Sequence, residues 1–495
     1  MYKRKFFDTI GGFMQFSHII KPEEILFPHT IPNMEIGIPQ SDFRKLKQGD
    51  VFFCEDGFYE SGFSYVSHAP EKGALAVIAP PGGAKRIGKL SIPVFEVENV
   101  RQSYALAWSR HENNPAGGLR LIAVTGTNGK TSVSSFLYTL LSASGISAGL
   151  IGTVEYTGGE SHLPSSYTTP PPDILYPMLN EMKSKGIQTV VMEASSHAIA
   201  QQRLYGLQFE TAVFTGLSRD HLDYHKTWEA YRDTKASLFK HAKNALIHRN
   251  DAQAEYMGFS ATGNVYYYGR DPEADFHIRL PQCDGHGLRY ILHSEKDVLP
   301  VSIPLVGNFH IENSAAAIAC AYLEGLDGKA IANALKQLHS PAGRMENLNL
   351  PTDFSVYIDY AHSPEALNLA LTSLRPLTKK LTVLFGAGGD RDKGKRPEMG
   401  TVAEALADLV ILTDDNPRNE NPCDILDDIE KGMKKNRHIR IENREKAILF
   451  ALNQAEQGEI LLLAGKGHEN YSIDKNGKHA FSEKEIIQKW LTSAF

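Results

Sequence analysis

The run Thr125-Gly126-Thr127-Asn128-Gly129-Lys130-Thr131-Ser132 has the residue types and spacing of a phosphate-binding loop. Glycines let the backbone N–H groups approach an anion. Lys130 supplies a cation for phosphate oxygens, and a hydroxyl of the Thr131-Ser132 pair suits Mg²⁺. A turn that merely needed glycines would not require Lys-Thr-Ser at the start of a helix. The spacing is shortened: six residues before the lysine stands Val124, and the first glycine falls at 126. That form points away from the ordinary kinase and GTPase loops.

Further chemistry is gathered in three polar clusters: Glu193-Ala-Ser195-Ser196-His197, Asp414-Asp415-Asn416-Pro417-Arg418 and Gly465-Lys466-Gly467-His468-Glu469. Glu193 can hold Mg²⁺ directly or through water, or serve as an acid near a helix N-terminus. In Asp220-His221-Leu222-Asp223-Tyr224-His225, His221 reads as a metal ligand or as a satisfied structural histidine. Lys235, taken by its neighbours alone, reads as a solvated lysine on a helix. Arg391, in the glycine-rich basic stretch Gly388–Pro397, suits a carboxylate or phosphate; a charged surface loop is the other reading. Arg418 follows a proline that fixes the turn, and its planar fork suits a carboxylate. Glu469 can take an ammonium. Arg418 and Glu469 together can read an amino-acid zwitterion.

Elements of an α/β chain must position these groups. The phosphate loop follows the apolar run Leu121–Val124 and precedes Val133, Phe136, Leu137, Leu140 and Leu141, which have helical spacing. Strand-like runs at Leu121–Val124, Thr189–Met192, Ala212–Thr215 and Ala245–His248 alternate with helical stretches, predicting a mostly parallel sheet. Runs at Leu381–Phe385, Leu409–Leu412 and Ile460–Ala464 predict a second, smaller unit resembling a Rossmann sheet without its glycine fingerprint. The three clusters all fall at strand exits, where open parallel sheets gather ligand residues. The expected domains are 1–114, 115–342 and 343–495. His111–Gly118 reads as a linker.

With 495 residues, roughly three domains are expected. A net charge of −6 gives no case for nucleic acid or an anionic membrane as partner. Four scattered cysteines form no metal-ligand pair and point to reduced thiols in a cytoplasm. Met1–Phe7 lacks the apolar core of a signal peptide, and no run is long enough to span a bilayer, so a cytoplasmic protein without membrane insertion is expected.

In its motifs the chain resembles the Mur ligase family. They are Gly126–Ser132, Thr168-Thr169-Pro170, Met192–His197, Asp220–His225, Gly343-Arg344, Ile358–His362, Gly388–Lys393, Asp415–Arg418 and Gly465–Glu469, in family order over nearly the whole chain. The resemblance implies an N-terminal α/β domain for a UDP-linked substrate, a central P-loop-type parallel-sheet ATPase domain, and a mobile Rossmann-like C-terminal domain for the incoming amino acid. It implies ATP and Mg²⁺ as cofactors, small-molecule substrates and a monomer. The group most resembled adds the third peptide residue to UDP-N-acetylmuramoyl-L-alanyl-D-glutamate, and Asp-Asn-Pro-Arg resembles the form that selects meso-diaminopimelate.

Residue by residue, the resemblance places Gly126, Thr127, Asn128, Gly129, Lys130, Thr131, Ser132, Asn313, Arg344 and Asp359 at ATP. It places Thr131, Glu193, His221 and a carbamylated Lys235 at metal, with Lys130, Lys235 and His221 as the catalytic set. This reverses the solvated reading of Lys235. Thr168, Thr169, Ser195, Gln201 and Arg203 match the muramoyl dipeptide site. Arg391, Asp415, Asn416, Arg418, Gly465 and Glu469 match the diaminopimelate pocket. The chain departs from the family pattern at Phe43, within Asp42-Phe43-Arg44, at Gly216, at His310 and at Pro171-Pro172. A folylpolyglutamate-type synthetase shares the loop and the acyl-phosphate chemistry, but the Asp415–Arg418 and Gly465–Glu469 clusters argue against it. A non-catalytic homologue would be expected to lose Lys130, Glu193, His221 or Lys235, and all four are present.

Overall fold

The computed structural model describes residues 14–26, 33–57, 60–158, 161–295, 297–435 and 437–494. The N-terminal stretch Met1–Phe7 lies outside them. Two short strands, β1 (Met14–Gln15) and β2 (Glu35–Ile36), pair antiparallel at the start of the first region. A parallel sheet follows, ordered β3 (Pro39–Gln40), β4 (Val51–Phe53), β5 (Ala76–Ala79) and β6 (Val94–Glu96). The helix Val100–His111 then carries Tyr104 and Trp108 into the core. His111 is its last residue, and Glu112 is buried and accepts from Asn180 Nδ2 at 2.8 Å, so this end of the expected linker is packed.

The central sheet has eleven strands: β7 (Arg120–Thr125), β8 (Ala148–Ile151), β9 (Glu155–Gly158), β10 (Ser161–Pro164), β11 (Thr189–Glu193), β12 (Phe209–Phe214), β13 (Ala242–His248), β14 (Asn264–Gly269), β15 (Phe276–Asp284), β16 (Gly287–His293) and β17 (Val298–Ile303). Its spatial order is β10-β9-β8-β11-β7-β12-β13-β14-β15-β16-β17. The seven strands from β8 to β15 run parallel, and the antiparallel hairpins sit at the two edges. A strand buried on both faces reads as a continuous apolar run. That is why Leu121–Val124 is uninterrupted and fully enclosed. The helix Lys130–Ala143 packs on the helix Phe309–Leu323, and Ala315, Ala316 and Ala319 lie in the apolar cluster they share.

The third sheet is ordered β18 (Glu346–Asn347), β19 (Ser355–Asp359), β23 (Ile460–Ala464), β20 (Leu381–Phe385), β21 (Leu409–Leu412) and β22 (His438–Arg440). It is parallel except for β18. The hairpin β24 (Tyr471–Asp474) and β25 (Gly477–Ala480) follows β23. No helix among the described residues is long and apolar enough to cross a membrane.

Candidate active site

Between the end of β7 and the helix beginning at Lys130 lie four residues, Gly126–Gly129. Gly126 and Gly129 both adopt positive φ, +154° and +85°. A Cβ on Gly126 would collide with Thr215 Oγ1, and one on Gly129 would sit 2.6 Å from Asn313 Oδ1. Asn313 is therefore packed against the loop.

Lys130 Nζ donates to the carbonyls of Gly126 and Thr127, each at 2.9 Å. Lys235 Nζ donates to the same Gly126 carbonyl at 2.8 Å. Lys235 is only 1% exposed, which overturns the solvated reading drawn from its neighbours. The helix Trp228–Ala236 turns this position inward with Tyr231 and Ala236. Burial drives the Lys235 pKa well below the ordinary lysine value, and the Lys130 charge pushes in the same direction.

Glu193 is the last residue of β11 and is fully buried. Its carboxylate accepts from Thr153 N at 2.7 Å, Thr153 Oγ1 at 2.9 Å and Thr131 Oγ1 at 3.2 Å. It does not cap the following helix. Ser195 does so, its Oγ accepting from Ala198 N at 3.3 Å. The adjacent carboxylate and hydroxyl oxygens of Glu193 and Thr131 are a donor pair suited to a hard cation such as Mg²⁺. Among the described residues no three His, Cys, Asp or Glu side chains converge as a metal site by themselves.

His221 lies in a neighbouring ring cluster. Its imidazole meets His197 edge-on at 4.9 Å and Tyr231 at 6.2 Å, and its Nε2 is 3.4 Å from Asp220 Oδ2. Burial lowers its pKa and Asp220 opposes, so the neutral, ligand-competent imidazole is favoured.

The five residues matched to the muramoyl dipeptide form one hydrogen-bonded patch continuous with Glu193. Thr169 Oγ1 donates to Glu193 O at 2.7 Å and accepts from Ser195 N at 3.0 Å. Thr153 Oγ1 is 3.0 Å from Thr168 Oγ1. Arg203 Nη1 donates to Thr169 O at 2.6 Å, and its Nη2 donates to Gln201 Oε1 at 2.7 Å.

From the turn before β18, Arg344 Nη2 donates to Thr131 Oγ1 at 3.1 Å, bridging to the phosphate loop, and its guanidinium lies 4.8 Å from the Tyr360 ring centre. Asp359 ends β19 and accepts from Met345 N at 2.6 Å and Ala361 N at 2.9 Å. Burial raises its pKa to about 6, with Arg344 opposing.

A second pocket forms at the carboxyl ends of β20, β21 and β23. Asn416 Nδ2 donates to Glu469 Oε2 at 2.8 Å. Arg418, at φ +53°, pairs through its N–H with Ile473 O at 3.0 Å and sends Nη1 to Gly389 O at 2.8 Å. Gly465 lies over Asp415, where a Cβ would come within 3.0 Å of Oδ2. Arg391 is exposed on the loop after β20. After burial and Arg203, its charge is among those lowering the His197 pKa.

Three contributors have no individual role assigned from the sequence. Thr153 supplies two of the three donors to Glu193; its only signal is its place after β8, another parallel-strand exit. Lys466 is buried behind Asn416 and Glu469, and its signal is the flanking pair Gly465 and Gly467. Tyr360 stacks under Arg344 and reaches Glu469 at 3.5 Å.

The departures have local explanations. Gly216 has φ +130° and its carbonyl accepts from Thr127 N at 2.9 Å, so a glycine suits that strand exit. His310 is fully buried between Phe136 and Phe309 with both ring nitrogens unpartnered, and burial pushes its pKa down to about 3. It acts as a neutral ring in the packing. Phe43 stacks on Tyr65 at 5.3 Å with planes 14° apart, and Asp42 pairs with Arg44 at 2.9 Å. Pro172 begins the helix Pro172–Ser184, where its missing N–H is no loss.

A phosphate loop faced by an arginine from a second parallel-sheet unit defines a P-loop enzyme that works between two α/β bodies. Residues 124–321 match the Mur ligase middle domain and residues 343–467 the Mur ligase glutamate ligase domain. The chain is 36% identical over 471 residues to a UDP-N-acetylmuramoyl-L-alanyl-D-glutamate–2,6-diaminopimelate ligase of Clostridium acetobutylicum, covering 94% of this chain and 96% of the relative. It is 38% identical over 467 residues to the ligase of the same name from Caldanaerobacter subterraneus, covering 94% and 96%. A solved structure of a ligase of that name superposes with a TM-score of 0.69 at 32% identity, covering 98% of this chain and 99% of that one. The chain belongs to the Mur ligase family.

Proposed function

We propose that this chain is an ATP-dependent ligase joining meso-diaminopimelate to UDP-N-acetylmuramoyl-L-alanyl-D-glutamate, a step of peptidoglycan precursor synthesis. The observation that carries the reading is the pocket in which Arg418, Asn416 and Glu469 stand together at the strand ends of the third sheet. The named relatives, matched over nearly their whole length, support it.

A free carboxylate is a poor electrophile until one oxygen becomes a leaving group. Here a carboxylate oxygen of the nucleotide dipeptide attacks the γ-phosphorus of ATP, and the bond to the β-γ bridging oxygen breaks, leaving an acyl phosphate and ADP. The diaminopimelate amine then attacks the acyl carbon. The carbon–oxygen bond to phosphate breaks, phosphate departs, and the new amide nitrogen loses a proton. Both steps bring anions together, so fixed cations are the main requirement.

Lys130, the loop N–H groups and Arg344 hold the ATP phosphates. Asn313 and Asp359 complete that site, and the Thr168, Thr169, Ser195, Gln201 and Arg203 patch holds the dipeptide. Thr131, Glu193 and His221 would hold Mg²⁺, which supplies charge neutralisation at the phosphates. The neutral amine favoured at Lys235 is the form that adds carbon dioxide: nitrogen bonds to the carbon, a proton leaves, and the resulting anionic carbamate would offer oxygens to Mg²⁺. Arg418 takes the distal carboxylate that lysine lacks, with Arg391 beside it. A guanidinium left unpaired in the pocket is how lysine is rejected. The enzyme works in the cytoplasm as a monomer.

The test is release of inorganic phosphate from ATP with the UDP-muramoyl dipeptide, over a panel of amino acids. Release should depend on both the dipeptide and diaminopimelate. Equal rates with lysine would remove the Arg418 argument, and indifference to the dipeptide would reject the acceptor.

A further inference from the structure

The amino-acid pocket holds a buried cation to which the reaction above assigns no task. Lys466 is 1% exposed. Its Nζ donates to Asn416 Oδ1 at 3.1 Å and to Tyr471 O at 2.8 Å. It lies 3.5 Å from Asp415 Oδ1 and 3.9 Å from Glu469 Oε2. That Asp415 oxygen is buried and has no hydrogen-bond partner, so Lys466 is the charge that faces it. The flanking glycines, at φ +109° and +56°, make the turn that points the side chain inward, and a Cβ on Gly467 would sit 2.7 Å from Tyr360 Cβ.

Two consequences follow from this placement. First, Lys466 fixes the Asn416 amide. Its Oδ1 accepts from Lys466 and from Ile473 N at 2.9 Å, which leaves Nδ2 to face Glu469. Second, it changes the charge count. Asp415 and Glu469 bring two negative charges to the pocket, and Lys466 offsets one. One negative charge remains for one substrate ammonium, the other amine being the neutral nucleophile, with Arg418 and the neighbouring Arg391 for substrate carboxylates. A net-neutral diamino diacid matches that balance. Lysine brings an extra positive charge, which a pocket without the Lys466 charge would accommodate better.

We propose that Lys466 is a specificity-determining residue that sets the charge balance of the amino-acid pocket in favour of a net-neutral diamino diacid over lysine. This rests on the function proposed above. Lys466→Gln keeps an N–H donor for Asn416 and Tyr471 and removes the charge, while Lys466→Arg keeps the charge. Phosphate release is measured with each amino acid at saturating dipeptide, and KM for ATP is measured alongside. The ratio of kcat/KM for diaminopimelate over lysine should fall by at least about fivefold in Lys466→Gln, through KM for the amino acids. It should stay near the unsubstituted value in Lys466→Arg, with KM for ATP unmoved in both. A smaller fall, or equal losses with both amino acids, overturns the proposal. Asp415→Asn removes a negative charge instead and should shift the ratio the opposite way; it decides the matter if Lys466→Gln does not fold. A diaminopimelate-dependent unsubstituted chain with an unmoved ratio in the variants rejects this proposal alone. An unsubstituted chain indifferent to diaminopimelate rejects the proposed function and this proposal with it.

Discussion

Replacing Lys235 by methionine should raise stability while sharply lowering turnover. The side chain is buried, and its pKa is depressed first by burial and then by Lys130. A folded amine that is neutral must take up a proton on unfolding at any pH below its ordinary value of about 10.4. The unfolded chain then binds more protons, so the stability of the unsubstituted protein rises with pH at about 1.4 kcal/mol per unit in that window. Methionine fills similar space and does not titrate. It loses one hydrogen bond, to Gly126 O, worth about 1 kcal/mol at any pH. The stability advantage of Lys235→Met should therefore be larger at about pH 7 than at about pH 9. Urea unfolding at both pH values in buffer stripped of carbon dioxide reads this difference. Phosphate release should fall about 10²–10³-fold, the scale of losing one preorganised electrostatic contributor. Equal stability differences at the two pH values would mean a charged lysine in the fold, and the carbamate role would lose its reactive amine. Substantial residual turnover would remove that role directly.

Arg344→Ala breaks the 3.1 Å contact to Thr131 and should raise KM for ATP about tenfold, leaving KM for the amino acid unchanged; steady-state kinetics in each substrate checks it. Asp359, with its pKa raised to about 6 by burial, is ionised at neutral pH and protonates as pH falls through that value. The free-enzyme profile of kcat/KM for ATP should therefore carry an acid limb near pH 6, absent in Asp359→Asn. His310→Asn restores the family residue, but it leaves a smaller polar group between Phe136 and Phe309; urea unfolding should show a loss of about 1–3 kcal/mol.

The phosphate loop and the parallel strands were legible because their signals are local. A doubly buried strand is an unbroken apolar run, and Gly126, Gly129 and Lys130 are contiguous with it. The alternatives at Glu193 and Lys235 could not be resolved from neighbours. Both are decided by partners far away in the chain: Thr153 and Thr131 for Glu193, and Gly126 for Lys235. The burial of Lys235 follows from the helix Trp228–Ala236 turning it towards the Gly126 carbonyl, which its sequence neighbours do not reveal. Thr153, and the role of Lys466 within its cluster, are hidden for a different reason. A single threonine after a strand, or a lysine between glycines, is common, and only the sheet order β8-β11-β7 places Thr153 beside Glu193.

The distribution of apolar packing sets the third region apart from the other two. One continuous core joins Phe16, Phe53, Tyr104 and Trp108 of the first region to Leu121, Ala123, Met192 and Phe214 of the central sheet. Separating these two would expose a large apolar surface, at about 25 cal/mol per Å². The core of the third sheet is separate, and Val306 and Phe309 are the hydrophobic residues from outside the third region packed against it. The remaining ties across that boundary include polar contacts such as Arg344 to Thr131. Hydrogen bonds of this kind exchange with water at a net cost of only about 1–3 kcal/mol each. The weak boundary thus falls between the ATP loop and the amino-acid pocket, where an incoming diamino acid must enter. The same Arg344 contact joins the third region to Thr131, the residue shared with Glu193. A chain built this way has its weakest apolar seam at that boundary, and Arg344 is the cation that the third region adds to Lys130 at the phosphate loop.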